Sequence, residues 1–398
     1  MTGNNDQEQQ KGAPVIKSVK SEINNKTELI DVILAFEVAS SQLRYKVFPY
    51  TENKFTYTDI PMEGRFWRDH TKAYPVNMDD IKDITIEEAI WDIIVAKQEK
   101  YTIKAIAIAF RGAVHNGVII HTHRTNAQLQ NNFHLQNNLK LRFMSKNHVA
   151  PEIFIENRSN MGAYGELYYN PEIESQNHSN FIYITIEGML GAGVVIDKKL
   201  YLGKSGFAGE VGHIVLDSGS SLKCDVCNQD GCAAALTSGK AMVRQAIEQS
   251  QSNDTWVINA INGRALETYR TIDSGYWLDL NPLWQTNNAI SVKDVLEASH
   301  NSETPRRIVE AAIGNFKKLL ANIMYIYNPE CILIGGSITD NAIFNQQVAV
   351  NQFPNVPAQI IPFFISPAAL GDESALIGVG KWAFDHLMAK IMQNKNQL

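Results

Sequence analysis

Three of the four cysteines fall within nine residues, Cys224, Cys227 and Cys232, in a C-x2-C-x4-C spacing, and His213 lies eleven residues before the first of them. Thiolates and a neutral imidazole are tetrahedral Zn²⁺ ligands, and four of them leave no open position for a catalytic water. The set predicts a structural zinc site over 213–232 rather than a metal that does chemistry. Two alternatives stand beside it. One is three reduced, unligated cysteines in a loop. The other is a thioredoxin-like redox pair, which needs its Cys-x-x-Cys at a strand-to-helix turn, whereas polar loop residues flank this one. Cys331, set in an apolar run, reads as a core residue.

The elements that position such a loop can be read from apolar periodicity. Ile33, Leu34 and Phe36 form a buried strand, and Leu43 to Phe48 makes a second strand, paired with the first as an antiparallel hairpin. Thr85 with Glu88 is a capping-box pattern, and Ile86, Ile90, Ile93 and Ile94 form one stripe of a helix over about 85–99 that feeds a strand, Ile103 to Phe110. A strand Ile153 to Ile155 leads into a helix near Asn157, and Phe181 to Ile186 is a strand closed by Gly188 and Gly191. Thr304 and Pro305 suit the start of a helix that turns Ile308, Phe316, Leu320 and Ile323 inward and stops at Asn328-Pro329. A buried strand Cys331 to Ile334 ends in Gly335-Gly336, and the tail from Ser374 is a final helix.

This order predicts an α/β protein of two lobes. The N-terminal lobe spans 29–150 and is completed by the C-terminal helix 374–398; the second lobe spans 151–373 and carries the 213–232 loop. A small ligand is expected in the cleft between them. Residues 1–28, rich in Asn, Gln and Lys, read as a flexible leader too short for a winged DNA-binding domain, and 251–300, with Trp256, Trp277 and Trp284, match no motif.

The chain has 398 residues, 44% hydrophobic, and 36 basic against 42 acidic residues give a net charge of −6. That balance offers no broad cationic surface for a polyanion, so direct nucleic-acid binding is disfavoured. The polar N-terminus lacks the basic and apolar regions of a secretory signal. No apolar stretch approaches the ~20 residues of a membrane span. The expectation is a soluble, cytoplasmic protein.

At 206–213 the sequence reads GFAGEVGH, followed by the cysteine cluster ending Asp230-Gly231-Cys232. This resembles the signature of the ROK family (repressor, open reading frame, kinase), and family-like segments run in order from Ile33 to Gly378. The resemblance implies the two-lobed actin-like ATPase, ribonuclease H-like fold in its sugar-kinase version. It makes Asn157, Glu210 and His213 candidate sugar partners, with His213 also a zinc-ligand candidate beside Cys224, Cys227 and Cys232. The family more often has C-x-C before x4-C, which leaves Cys224 the least secure of the ligands. Glu37, Gly191, Gly335 and Gly336 fall where the family approaches nucleotide and its metal, Leu370 to Ala375 looks like the start of its last helix, and a homo-oligomer is implied.

The positions that would carry phosphoryl transfer depart from the family pattern. Its Asn-Asp pair, whose Asp is the catalytic base, aligns with Asn157-Arg158, and an arginine neither accepts a proton nor loses its own. The family's D-x-G-G-T reads Glu37-Val38-Ala39-Ser40-Ser41, its T-G-x-G reads Gly188-Met189-Leu190-Gly191, and a sugar-binding Glu is Ala234. Glu156 is the neighbouring acid that could substitute as base; otherwise it reads as a solvated or paired residue. The sequence therefore favours a sugar- or sugar-phosphate-binding regulatory protein with impaired catalysis, with ATP and Mg²⁺ implied only for the alternative, a working hexose or N-acetyl-hexosamine kinase. A second alternative is a family transcriptional regulator without its own helix-turn-helix.

Overall fold

A computed structural model of the chain describes residues 29–39, 43–51, 54–57, 86–121, 132–146, 148–186, 188–250, 254–255, 257, 290, 292–336, 339, 348, 353 and 355–395. The leader 1–28, Thr85 of the capping box, Ser40, Ser41 and the three tryptophans of 251–300 lie outside them.

Two five-stranded sheets share one topology. In the first, β1 (Ile30–Val38), β2 (Leu43–Thr51) and β3 (Lys54–Phe55) form an antiparallel meander, while β4 (Tyr101–Phe110) and β7 (Glu152–Asn157) add in parallel on the other side of β1, giving the order β3-β2-β1-β4-β7. In the second, β8 (Phe181–Ile186), β9 (Leu190–Ile196) and β10 (Lys199–Leu200) make the meander, and β11 (Cys331–Gly335) and β12 (Phe364–Pro367) are the parallel additions. β5 (Ala113–His115) and β6 (Val118–His121) form a separate hairpin. β7 pairs with β4, so the first sheet extends past the boundary placed at 150; only tertiary pairing assigns that strand.

Side-chain size decides what covers each face. In β4 the large Ile106, Ile108 and Phe110 share a core with α1 (Ile86–Gln98) and α2 (Leu135–Ser145). The alternating Ala105, Ala107 and Ala109 let α3 (Arg158–Tyr169) and the C-terminal helix come close on the other face. The remaining helices are α4 (Pro171–Ser175), α5 (Ala233–Thr237), α6 (Gly239–Gln249), α7 (Val292–Ala298), α8 (Glu303–Tyr327) and α9 (Ser374–Lys395). Helix α8 buries Ile308, Phe316, Leu320 and Ile323 as their spacing predicts, and Asn328 ends it at φ 43°. Its N-cap is Ser302 rather than Thr304, because a proline in the first turn lacks only an N–H that has no intrahelical partner. Cys331 is buried in the second sheet, as expected.

Helix α3 joins the halves. Its Met161 and Tyr164 pack with α9 on the first sheet, and its Ala163 packs with Phe181 and Tyr183 of the second. Glu166, fully buried, accepts hydrogen bonds from Asn170 Nδ2 at 2.7 Å, Ala369 N at 3.0 Å, Leu370 N at 2.9 Å and Ser374 Oγ at 2.8 Å, tying α3 to the start of α9. The helix backbones nearly touch at Gly378, where an added Cβ would sit 1.8 Å from the Met161 carbonyl oxygen. Gly378→Ala is expected to cost about 1–3 kcal/mol or more through overpacking, measured by denaturant unfolding.

Candidate functional site

The parallel strands β1, β4 and β7 end in register, Val38 beside Phe110 and Phe110 beside Asn157. Open α/β sheets bind ligands outside such carboxyl ends. Glu37, on β1, is fully buried there and directly opposite Arg44 of β2. Arg44 donates to Glu37 Oε2 through Nε at 3.0 Å and also through Nη2, while Arg158 Nε donates to Oε1. Arg44 also reaches Asp372, with Nη1 3.2 Å from Oδ2 and Nη2 2.7 Å from the backbone oxygen. Beside it Lys46 Nζ donates to Glu373 Oε2 at 2.8 Å. Burial pushes the Glu37 carboxyl upward in pKa, but the adjacent Arg44 and Arg158 outweigh it and hold the group below the usual carboxylate range. Both carboxylate oxygens thus face guanidinium groups, and the residue does not fit as a Mg²⁺ ligand.

Asn157 caps α3, its Oδ1 accepting from Ser159 N at 2.8 Å and Asn160 N at 3.1 Å, and its Nδ2 donates to Gly112 O at 2.8 Å. A sugar partner at this position would share the amide with the cap. Glu156 is buried rather than solvated, and its Oε1 accepts from Asn157 N at 2.7 Å and Asn160 Nδ2 at 3.2 Å. Burial raises its pKa above the usual range despite those donors. Arg158 is the first residue of α3, its side chain 14% exposed, held on Glu37 and not released into solvent. Arg111, directly after β4, lies within electrostatic reach of it, and burial together with the Arg158 charge pulls the Arg111 pKa down to about 10.

His213, Cys224, Cys227 and Cys232 converge, with their ligand atoms all within 4.8 Å of one another. Zn–S bonds of 2.3 Å in a tetrahedron place sulfurs about 3.8 Å apart, so small rotations complete the geometry. The Cys232 thiol, partly opposed by burial and reinforced by His213, pulls Cys224 down to about 3. Cys224, which the family spacing left least secure, is one of the four residues that converge. His213 turns Nδ1 toward Cys224 Sγ at 3.9 Å and Nε2 toward Glu210 Oε2 at 3.8 Å. One ring nitrogen thus faces the Cys224 thiol and the other the Glu210 carboxylate.

The loop also reaches the rest of the site. Asp225 pairs with Lys240 Nζ at 2.9 Å and Arg244 Nη1 at 2.8 Å. Lys240, buried on α6, is pushed down in pKa by burial and by the Arg111 charge, against the opposing effect of Asp225. Gly206 packs against the Val114 carbonyl, where an added Cβ would lie only 2.0 Å from the oxygen. The segment carrying Glu210 and His213 therefore meets the chain just after Arg111 and Gly112.

The expected glycine turns have structural occupants. Gly191 is inside β9, opposite Thr185, and a Cβ there would meet Ser159 Oγ at 2.5 Å. Gly335 ends β11 with the Tyr183 hydroxyl 2.2 Å from its would-be Cβ, and Gly336 has φ 93°. Ala234 is a buried residue of α5. Sequence reasoning missed Arg44, Arg111, Lys240 and Asp372. The first was within reach, because the antiparallel pairing of β1 with β2 sets Arg44 directly across from Glu37.

The sequence matches the ROK family over residues 68–386. The chain belongs to the ROK family. Among curated relatives, the xylose repressor of Bacillus subtilis is 25% identical over 338 residues, which cover 83% of this chain and 74% of the repressor. Among solved structures, a ROK family glucokinase from Streptomyces griseus in complex with glucose and AMPPNP is similar at TM-score 0.59 and 20% identity, covering 88% of this chain and 98% of that one. A ROK family transcriptional regulator, a homolog of the E. coli MLC protein, aligns at TM-score 0.61 and 17% identity over 90% of this chain and 80% of its own. The ROK chain accordingly has the two-lobed actin-like ATPase fold expected from the GFAGEVGH segment. No described helix is long and apolar enough to cross a membrane.

Proposed function

We propose that this protein is a cytoplasmic ROK sugar-binding regulator, self-associating like its family and impaired in phosphoryl transfer, with structural zinc held by His213, Cys224, Cys227 and Cys232. The observation that carries the reading is the arginine pair on Glu37. A kinase of this fold needs a base at the attacking hydroxyl and a carboxylate for Mg²⁺. Here Arg158 stands at the position the family resemblance gives to the base, and it and Arg44 take up both oxygens of Glu37. Losing a general base costs about 10² to 10⁴ in rate, before the loss of metal charge is added. Zinc fits by its donors: three sulfurs and one imidazole, within 4.8 Å of one another, would supply a tetrahedral set. Asn157, Glu210 and His213 remain the sugar-facing candidates.

The second reading, an active sugar kinase, is favoured by one observation. Glu156 is a buried acid of raised pKa two residues before Arg158, the character expected of a general base. A coupled ADP-release assay with hexoses and N-acetyl-hexosamines separates the two. The expected result is binding of a sugar by calorimetry with no sugar-dependent ADP release. Turnover that Glu156→Gln abolishes would replace the first reading with the second.

A further inference from the structure

Helix α8 is 25 residues long, and one side of it is accounted for by the core of the second lobe, where Ile308, Phe316, Leu320 and Ile323 are buried. The middle of its other side, at Glu310, Ala311, Gly314 and Lys318, is exposed. Residues three and four apart on a helix share a face, so these four form one surface. Gly314 lies at its centre. Glycine is disfavoured in a helix interior, and elsewhere in this fold a helical glycine has a packing reason: the would-be Cβ atoms of Gly162, Gly165 and Gly378 all collide with a neighbouring element. At Gly314 no such neighbour lies within 4 Å of that position. Nothing among the described residues uses the room it leaves.

The charges on this face are arranged symmetrically about that glycine. Glu310 precedes it by four residues and Lys318 follows it by four, so all three stand on one i±4 row, the kind of ridge through which helices most often pack. A two-fold axis at Gly314, perpendicular to the row, turns the row end for end and brings Glu310 of each copy against Lys318 of the other. Both charges are available for this. Lys318 Nζ donates only to the uncharged Asn315 Oδ1, at 3.0 Å, and neither Lys318 nor Glu310 has an ion pair among the described residues. Self-complementarity of this sort is what an isologous dimer contact requires, whereas an unrelated partner would need no such symmetry.

We propose that the exposed face of α8 is the contact between two copies of this chain, their helices crossing antiparallel at Gly314 with Glu310 of each copy paired to Lys318 of the partner subunit. The absent side chain lets the two backbones approach, as Gly378 does between α9 and α3 within one chain. The inference rests on the self-association reading and adds the surface to it.

Sedimentation equilibrium on the full chain tests both. The wild type is expected to be a dimer. Gly314→Gln, which fits the open space of the single chain, and Glu310→Lys, which sets like charges across the axis, are each expected to weaken the dimer tenfold or more, with circular dichroism showing both variants folded. Glu310→Lys combined with Lys318→Glu restores opposite charges and is expected to recover most of the lost affinity. A wild-type dimer that neither single variant weakens, or a double variant no tighter than the weaker of Glu310→Lys and Lys318→Glu, would overturn the assignment of this face and leave self-association standing. A monomeric wild type at every concentration would overturn both.

Discussion

Glu37→Gln is expected to lower the stability of this protein by about 3–5 kcal/mol, the range for removing one member of a buried ionic cluster. The carboxylate is fully buried and serves both Arg44 and Arg158. Its amide replacement leaves two guanidinium groups facing each other, with Arg111 close by. The direction distinguishes two roles for Glu37. An acid kept only for a metal or for catalysis is usually neutral or costly to stability, so its removal tends to be neutral or stabilising. Arg158→Met should cost less than Glu37→Gln, because Arg44 stays on the carboxylate. The pH dependence follows from the lowered pKa: the Glu37 contribution is fully present above the ordinary carboxyl value of 4.5 and disappears as pH falls through the lower folded value. The gap between wild type and Glu37→Gln in urea unfolding should accordingly be full at neutral pH and narrow in acid. Equal stabilities at neutral pH would mean that the arginines do not depend on this carboxylate.

Cys232→Ser should release the zinc and destabilise the second lobe by several kcal/mol, since a closed structural site contributes its binding energy to folding. Cys232 is fully buried at the start of α5 and belongs to the large core that also contains Phe316 and Ile332. Val215 pairs with it across an antiparallel bridge, so loosening the loop disturbs the segment that carries His213 and Glu210. Elemental analysis of purified protein is expected to find one zinc per chain in the wild type and none in Cys232→Ser, with thermal unfolding at a lower temperature. A chelator that removes no metal and leaves the wild-type melting point unchanged would eliminate the structural-zinc assignment.

What was legible in the sequence was whatever one segment decides for itself. The strand over Ile103 to Phe110, the helical stripe of α8 and the spacing of the cysteines each carry their own geometry, and the structure contains them. The pairings that build the site were less visible. β7 was read as the beginning of the second lobe because nothing within residues 152–157 says that they pair with β4. For Glu156 the sequence leaves solvated and paired both open, because its type is usually exposed; inside the fold the Asn157 backbone and the Asn160 amide donate to it. Arg158 was visible as a substitution, but its partner was not, since Glu37 lies 121 residues earlier in the chain. Asp372 is 328 residues from Arg44 and reaches it only because α9 returns to the first sheet. Site electrostatics here are a product of topology.

The most direct test of the arginine-on-Glu37 account is a crystal structure grown with sugar, Mg²⁺ and a non-hydrolysable ATP analogue. The account predicts the Arg44 and Arg158 guanidinium groups still on Glu37, with no Mg²⁺ coordinated to that carboxylate. A Mg²⁺ ion on Glu37, with Arg158 displaced and the Glu156 carboxylate within hydrogen-bonding distance of a sugar hydroxyl, would contradict it.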